Sequence, residues 1–572
     1  MSSFTSVRER ICVREVDNDA VARLSKELGV SSTAAQILVG RNLTGADACR
    51  RFFAPSLDDL HDPFLFTGME KAVARIRAAI SGKEKIAVYG DYDADGVTGT
   101  TMLVRVLRSL GAACDYYLPH RLTEGYGVSA SGVRQIAAGG ATLMITVDCG
   151  ITAVAEIALA ADHGIDVIVT DHHEPKAEGL PHHCVILNPK APQSGYPDKD
   201  LAGVGVVFKL CQALGKMTGR GEALWEPYLE LAALGTAADV VPLTGENRII
   251  TRAGFERMRR TKNPGLAALI KLQGLDGKPA STNEAAFQLA PCINAAGRLG
   301  DPSRAVELLL TDNEKTALEY AKELKTANFE RRAIDCAVRE EAEGWVLKHC
   351  DPEKDFAIVT GSSGWHAGVI GIVASKLVEK FHRPAILFSL GEDGAARGSG
   401  RSIPGFHLLD ALSACADLLE TFGGHAAAAG VNIRSASIDA FRSRFNEVAQ
   451  SRLRTEDLAP TVYADAEVSL DALTPQLFSL IKAMEPFGAG NAQPVLYCRN
   501  LHHRYTPRIV GSNHLKMSVA DKGMVFDAIG FNFGDRIGEL SGAPSVSLAF
   551  SLDENEWNGR KSLQMKVRGI TL

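Results

Sequence analysis

The stretch Asp91-Tyr92-Asp93-Ala94-Asp95-Gly96 sets three carboxylates at alternate positions, directly after the apolar run Ile86-Ala87-Val88-Tyr89. That run reads as a buried strand, and Val97–Leu110 behind the acids reads as a helix. Two further apolar runs end in acid: Met144–Val147 before Asp148, and Val167–Thr170 before Asp171-His172-His173. Three strands therefore deliver carboxylates and imidazoles from their C-terminal ends. In an open parallel sheet those ends share one crevice, where ligands bind. Two carboxylates about 4 Å apart repel by roughly 4 kcal/mol at an effective dielectric near 20. Divalent cations are the natural partner for such crowding, so the pattern points to a two-metal hydrolase.

Competing readings of these motifs are weaker. The first stretch also matches the start of an EF-hand loop, but position 12 is Met102 rather than a bidentate Glu, and positions 7 and 9 fall at Val97 and Gly99 inside the helix. A single Asp would suit a helix cap at this turn; three strain that reading. Asp148-Cys149-Gly150 and Asp239 each resemble ordinary turns and gain meaning only from their companions. The chain has no GxxxxGK[ST] for a P-loop and no GxSxG elbow. Gly203-Val204-Gly205-Val206-Val207-Phe208 misses the last glycine of the dinucleotide fingerprint, which leaves close helix packing as its expected role.

At 572 residues the chain exceeds one ordinary core, and several domains are expected. The segment 1–70 reads as helical. Strand and helix patterns alternate across 71–260, the rhythm of a parallel sheet covered by helices. A connecting region, 261–350, ends in a helix of roughly 35 residues from the Thr311-Asp312-Asn313-Glu314 capping box, an arm on the order of 50 Å. A second α/β segment occupies 351–455, Ser451–Ala459 reads as a polar linker, and 456–572 carries the short strands of a small antiparallel barrel. The 11 cysteines are scattered with no CxxC pair, there is no apolar leader at the N-terminus, and no run is apolar enough to span a bilayer. Reduced thiols, a cytoplasmic location and no membrane association are expected. The net charge of −6 does not exclude a nucleic-acid partner, because local basic patches decide that affinity.

Asp91–Gly96, Asp148-Cys149-Gly150, Asp171-His172-His173 and Gly235–Leu243 resemble the four motifs of the DHH phosphoesterase family. The likeness to its single-strand-specific exonuclease members extends through Ile293–Gly300, Gly364–Gly371, Arg397–Ser402, Phe422–Gly430 and Glu485–Asn491. It implies an α/β multidomain protein: a parallel-sheet DHH catalytic domain, a long helix, a DHHA1 α/β domain and a C-terminal OB-fold barrel.

The resemblance further implies two Mn²⁺ or Mg²⁺ ions bridged by Asp95 and Asp148. Asp93, with Asp91, would complete one site, and His172 and Asp239 the other. His173 would orient the scissile phosphate and Asp171 would support the histidines. Asp93, Asp95, Asp148, His172, His173 and Asp239 are then the catalytic set. Ions about 3.5–4 Å apart would activate a water and stabilise the attacking and leaving oxygens.

Arg298, His366, Arg397, Arg401, Ser402, Gly423, Gly424 and His425 are candidates to hold substrate phosphates and sugars, the arginines through their fork of donors. For Arg397 and Arg401, the intervening glycines are expected to let backbone approach a ligand. Tyr497, Tyr505, Phe531 and Trp557 are available to stack bases in the barrel.

The expected activity is 5′→3′ degradation of single-stranded DNA to mononucleotides in recombination and repair. The expected protein is a monomer that works with a single-strand-binding protein and a repair helicase. The alternative is a DHH phosphodiesterase of short oligonucleotides or cyclic dinucleotides; a non-catalytic single-strand-binding scaffold is disfavoured because every expected ligand is present.

Overall fold

The computed structural model describes residues 8–121, 123–176, 179–278, 280–540, 542–557 and 559–572, with the backbone alone at Trp557. The chain divides into two compact units: Ala54–Arg331 with Glu485–Ala492, and Met1–Phe53 with Arg332–Met484 and Gln493–Leu572. Strand β1 (Arg10–Val13) and the helices that follow it to Phe53 belong to the unit that holds the C-terminus.

The unit beginning at Ala54 is built on β2 (Lys85–Gly90), β3 (Ala113–Tyr117), β4 (Leu143–Val147), β5 (Asp166–Thr170) and β6 (Cys184–Leu187). They form one parallel sheet in the order β3-β2-β4-β5-β6. The chain goes from β2 to β3 on one side and returns to β4 on the other, so the topological switch point lies between β2 and β4. The central strands β2, β4 and β5 are buried and almost wholly apolar past their first residues because helices cover both faces. Ile86, Val88, Ile145 and Ile168 pack under the helices Met69–Ser81 and Gly203–Thr218, whereas Ala87, Tyr89, Met144, Val167 and Val169 pack under Ala130–Ala138 and Val154–Asp162. The expected strands and helices of this region appear with ends shifted by a few residues. The short β6, beside His182-His183, was not anticipated.

The helix Glu314–His349 runs 36 residues, close to the expected length, but Asn313 rather than Thr311 caps it, its Oδ1 accepting from Thr316 N at 3.0 Å. Ala317, Ala321 and Leu324 from its first half enter a core of the unit that begins at Ala54. Val338, Ala342 and Val346 from its second half pack with Trp365, Val369 and Val373 in the other unit. There, β7 (Ile358–Ser362), β8 (Ala385–Leu390), β9 (Ala395–Arg401), β10 (Thr421–Gly424) and β11 (Ala428–Arg434) make a mixed sheet in the order β10-β11-β9-β8-β7, with only β7 and β8 parallel.

The stretch Ser451–Ala459 is not an open linker. Leu453 and Leu458 are buried in the core of this α/β part, and Arg383 donates to the Leu458 carbonyl. β12 (Thr461–Ala464) pairs in parallel with β1, so the N-terminal segment, read as purely helical, contributes a strand here.

β13 (Ala466–Glu467) leads into β14 (Leu496–Val510), β15 (His514–Asp521), β16 (Met524–Gly530), β17 (Val546–Trp557) and β18 (Arg560–Thr571). The β14–β17 pairing closes the sheet β14-β15-β16-β18-β17 into a barrel. Among the described residues no helix is long and apolar enough to cross a membrane.

Glu230, on the helix Leu229–Ala238, is 5% exposed and accepts one hydrogen bond from the Thr261 hydroxyl at 2.7 Å. Burial, opposed in part by that hydrogen bond, raises its pKa from 4.5 to about 7. The folded state therefore holds this proton more tightly than the unfolded chain. Its contribution to stability is whole below pH 4.5 and is lost as pH rises through about 7. Glu230→Gln keeps the shape and the acceptor for Thr261. It is expected to stabilise the fold by about 1–3 kcal/mol at pH 8 and by nothing at pH 4. Urea denaturation at the two pH values measures this.

Candidate metal centre

The acids occupy the first residue past each strand, and their own amides continue the sheet ladder. Asp91 N donates to Val147 O at 3.1 Å, Asp148 N to Thr170 O at 2.9 Å, and Asp171 N to Leu187 O at 3.1 Å. Asp148 takes a left-handed φ of 61° and Gly150 one of 112°. Backbone strain of this kind is tolerated where surrounding structure imposes it.

The helix after β2 begins inside the acidic stretch, at Ala94. Asp93 is its N-cap, with Oδ1 accepting from Asp95 N and Gly96 N. Asp95 turns the other way, onto the N-terminus of the helix Gly203–Thr218. Its Oδ2 accepts from Gly203 N at 2.7 Å and its Oδ1 from Val204 N at 2.8 Å. A Cβ at Gly203 would lie 2.5 Å from Asp148 Oδ1. The glycines expected to serve packing alone thus also bring two peptide N–H groups to a site carboxylate. Asn294, from the Ile293–Gly300 motif, steadies the same turn by accepting from Ala94 N at 2.7 Å.

Three groups of ligand atoms, each within 4.8 Å of one another, overlap in this crevice: Asp91, Asp93 and Asp148; Asp148, His172 and His173; Asp95, His172 and Asp239. His172 Nε2 lies 3.2 Å from Asp148 Oδ1 and 3.5 Å from Asp239 Oδ2. Burial, and then His173, lower its pKa to about 3, so the imidazole is neutral and able to ligate. Asp171 accepts from the amides of Ile151, His172 and His173 and from His173 Nδ1 at 2.7 Å. Burial works against it, but these donors hold it below the ordinary carboxylate range.

The other acids behave oppositely. Burial first, and then a neighbouring carboxylate, push Asp91, Asp148 and Asp239 well up and Asp95 to about 7. Asp91 Oδ1, Asp148 Oδ1 and His172 Nε2 are buried without a hydrogen-bond partner. Orphaned ligand atoms among acids that resist ionising together fit divalent cations, and an oxygen-rich set with an imidazole suits Mn²⁺ or Mg²⁺.

Other groups border the crevice. Arg121 sits over the Tyr92 ring at 5.1 Å, and the half-buried Arg298 has its pKa lowered to about 10 by desolvation and then by Arg121. Tyr126, not singled out in the sequence, places its hydroxyl 2.9 Å from His173 Nε2 and 3.3 Å from Asp148 O. Glycines on both sides of an aromatic residue were its only signal. The Glu485–Asn491 motif packs on the stretch after Asp239: Leu243 N donates to Ala489 O at 2.7 Å and Arg248 Nη2 to Glu485 O at 3.0 Å.

The remaining candidates lie in the other unit. Arg397, Ser399 and Arg401 share one face of β9. Ala396, Gly398 and Gly400 face the core, where a Cβ on Gly398 would meet Phe388 at 2.5 Å and one on Gly400 Leu408 at 3.0 Å. Those glycines serve sheet packing, which corrects the expectation that they open the backbone to a ligand.

Ser399, overlooked in the sequence, and Arg401 crowd Gly371 in the first turn of the helix Ile370–Phe381. Ser402 Oγ is occupied as a donor to Phe406 O at 2.6 Å, and His366 Nδ1 accepts from Gly368 N. Gly423, Gly424 and His425 are exposed at the end of β10, where His425 N donates to Ala428 O. In the barrel Tyr497 is buried, Tyr505 and Phe531 are exposed, and the Trp557 side chain lies outside the described residues.

A parallel sheet with such a crevice, followed by a second α/β part, defines the DHH class of phosphoesterases. The model of the DHH family N-terminal domain matches residues 85–236, that of the DHHA1 domain 354–451, and that of the RecJ OB domain 464–569. The single-stranded-DNA-specific exonuclease RecJ of Bacillus subtilis is 41% identical over 97% of this chain and 70% of its own length. Its Escherichia coli counterpart is 39% identical over 88% and 90%. The crystal structure of RecJ in complex with Mn²⁺ from Thermus thermophilus matches with a TM-score of 0.84 at 32% identity, covering 99% of this chain and 80% of that one. This chain belongs to the RecJ family of single-stranded-DNA-specific exonucleases.

Mn²⁺ is expected to raise the melting temperature of the wild type, since a ligand that binds only the folded state stabilises it. Asp148→Asn is expected to abolish that rise. Gly203→Ala, whose Cβ displaces the Asp148 carboxylate, is expected to weaken Mn²⁺ affinity about tenfold while the protein stays folded. Thermal unfolding across a Mn²⁺ titration reads both variants.

Proposed function

We propose that this protein is a metal-dependent exonuclease that hydrolyses single-stranded DNA 5′→3′ to mononucleotides and acts in DNA recombination and repair. The observation that carries the reading is the crevice at the ends of β2, β4 and β5, where overlapping ligand sets share Asp148 and His172. Asp91 and Asp93 would help hold one ion, His172 and Asp239 the other, with Asp95 and Asp148 available to both. Two divalent cations held there supply the charge that acidifies a water and stabilises the attacking and leaving oxygens of an in-line displacement at phosphorus.

The chain's own residues do the remaining work. Asp171 fixes the His173 ring, which orients the scissile phosphate. Arg298, with Arg121 beside it, offers cationic donors at the crevice. Across β9, Arg397 and Arg401 with Ser399 at a helix N-terminus favour phosphate groups; His366, Ser402, Gly423, Gly424 and His425 border that surface. The barrel's exposed Tyr505 and Phe531 suit base stacking.

Functionally the chain follows its sequence division: an N-terminal segment 1–70, catalysis in 71–260, a connecting helical region 261–350, substrate phosphates at 351–455, and single-strand binding at 456–572. A monomer in the cytoplasm, working with a single-strand-binding protein and a repair helicase, completes the proposal. A compact phosphodiesterase of short oligonucleotides needs neither the long helix nor the barrel.

Release of mononucleotides from a long single strand with Mn²⁺ tests this. A block at the 5′ end is expected to stop release, a block at the 3′ end to leave it intact, and Asp95→Ala to abolish it. Cleavage of dinucleotides with no action on the long strand would reverse the assignment.

A further inference from the structure

The loop between β3 and the helix Ala130–Ala138 is built to aim one side chain. Glu124 Oε2 accepts from the Tyr117, Ser129 and Ser131 hydroxyls at 2.8, 2.6 and 3.0 Å, and its Oε1 accepts from His120 N at 2.8 Å. The Tyr89 hydroxyl donates to Gly127 O and accepts from Ser129 N. Gly125 and Gly127 take φ values of 86° and 85°, a conformation side-chain-bearing residues rarely adopt. Between these two reversals Tyr126 points back toward the crevice.

Its two ends lie in opposite environments. The hydroxyl is held at the metal centre by His173 and the Asp148 carbonyl. His173 Nδ1 is 2.7 Å from the Asp171 carboxylate, so the ring is held by Asp171 at one nitrogen and by the phenol at the other. The Tyr126 ring meets Tyr92 and His173 edge-on, at 6.4 and 5.6 Å between centroids, yet the residue is 55% exposed. A tyrosine that serves the core buries its ring and lets its hydroxyl reach for a partner. Tyr126 does the reverse, presenting an aromatic surface beside the carboxylates with its position fixed from below.

We propose that Tyr126 seats the nucleotide at the cut: its hydroxyl holds the His173 ring in place, and its exposed ring stacks on the base next to the scissile phosphate. This rests on the exonuclease reading above. Stacking is sequence-tolerant because every base has a π-face, as removal of successive nucleotides requires.

Tyr126→Phe and Tyr126→Leu separate the two parts. Both are measured on a single strand and on strands carrying one abasic residue at either nucleotide flanking the scissile phosphate. Phe keeps the ring, so kcat is expected to fall about tenfold with KM within twofold of wild type, the loss of one hydrogen bond. Leu removes the platform, so KM is expected to rise about tenfold or more. The wild type should suffer the same KM penalty on the strand abasic at one of those positions, and the Leu variant should no longer distinguish it from the intact strand. An unchanged Mn²⁺-dependent melting shift in both variants ties these effects to substrate.

A Phe variant with wild-type kcat, or a Leu variant that keeps wild-type KM and still discriminates against the abasic strand, overturns this inference alone. A wild type that leaves long single strands uncut overturns the exonuclease reading and this inference with it.

Discussion

Carboxylates from β2, β4 and β5 converge with Asp239 at one end of a parallel sheet, and each has to be compensated from somewhere. Asp171 is served completely by protein: three backbone N–H groups and the His173 ring hold it ionised. Asp93 has one oxygen committed to capping a helix, and Asp95 rests on the N-terminus of another. A helix N-terminus carries roughly half a positive charge, enough to favour an anion but not to cancel several. Asp91, Asp148 and Asp239 are left with too few donors, and their upward shifts record the deficit. The gradient sorts the acids by role. Asp171, which the protein satisfies, is scaffolding, and the acids it leaves in deficit, Asp95 among them with its pKa raised to about 7, are placed for cations.

The same gradient explains what was legible in the sequence. A strand covered on both faces must be apolar, so the acids that end β2, β4 and β5 stood out against their runs, and the parallel sheet followed from their spacing. Edge strand β6 has three of its four residues only partly buried and is flanked by histidines, so its pattern is too short to declare itself. Tertiary hydrogen bonds left weaker traces still. Nothing local in Gly203-Val204 announces that its amides meet Asp95, more than a hundred residues earlier. Asn294 reaches Ala94 over a gap of 200 residues. The arginines of β9 were legible while their glycines were misread, because the alternation that sends Arg397 and Arg401 to one face sends Gly398 and Gly400 against Phe388 and Leu408.

The motif Glu485–Asn491 is the clearest case of a signal whose meaning depends on packing. It lies between β13 and β14 in sequence yet belongs to the unit of the metal centre. Its carbonyls receive Leu243 N and the Arg248 guanidinium, and Gly488 and Gly490 leave room for Leu243 and Pro242. The chain it braces begins at Asp239 and passes through Val240, whose φ of 63° is costly for a β-branched residue. A strained turn next to a site carboxylate needs external support, and this segment supplies it.

His172 and His173 show how one dipeptide can carry two tasks. They follow the same strand end, and their rings meet edge-on with centroids 4.5 Å apart, yet each is anchored differently. The backbone of Leu201 hydrogen-bonds His172, leaving Nε2 bare toward Asp148 and Asp239. Asp171 grips His173 through Nδ1, leaving Nε2 toward Tyr126 and the open side of the crevice. In each ring the committed nitrogen decides what the free one can do. A histidine fixed by a neutral carbonyl stays a weak base suited to a cation, and one fixed by a carboxylate gains affinity for a proton, suited to an anion such as phosphate. Burial opposes that gain at His173, but the Asp171 hydrogen bond outweighs it. Exchanging the two anchors would exchange the roles, which is why the acid before the pair matters as much as the imidazoles themselves.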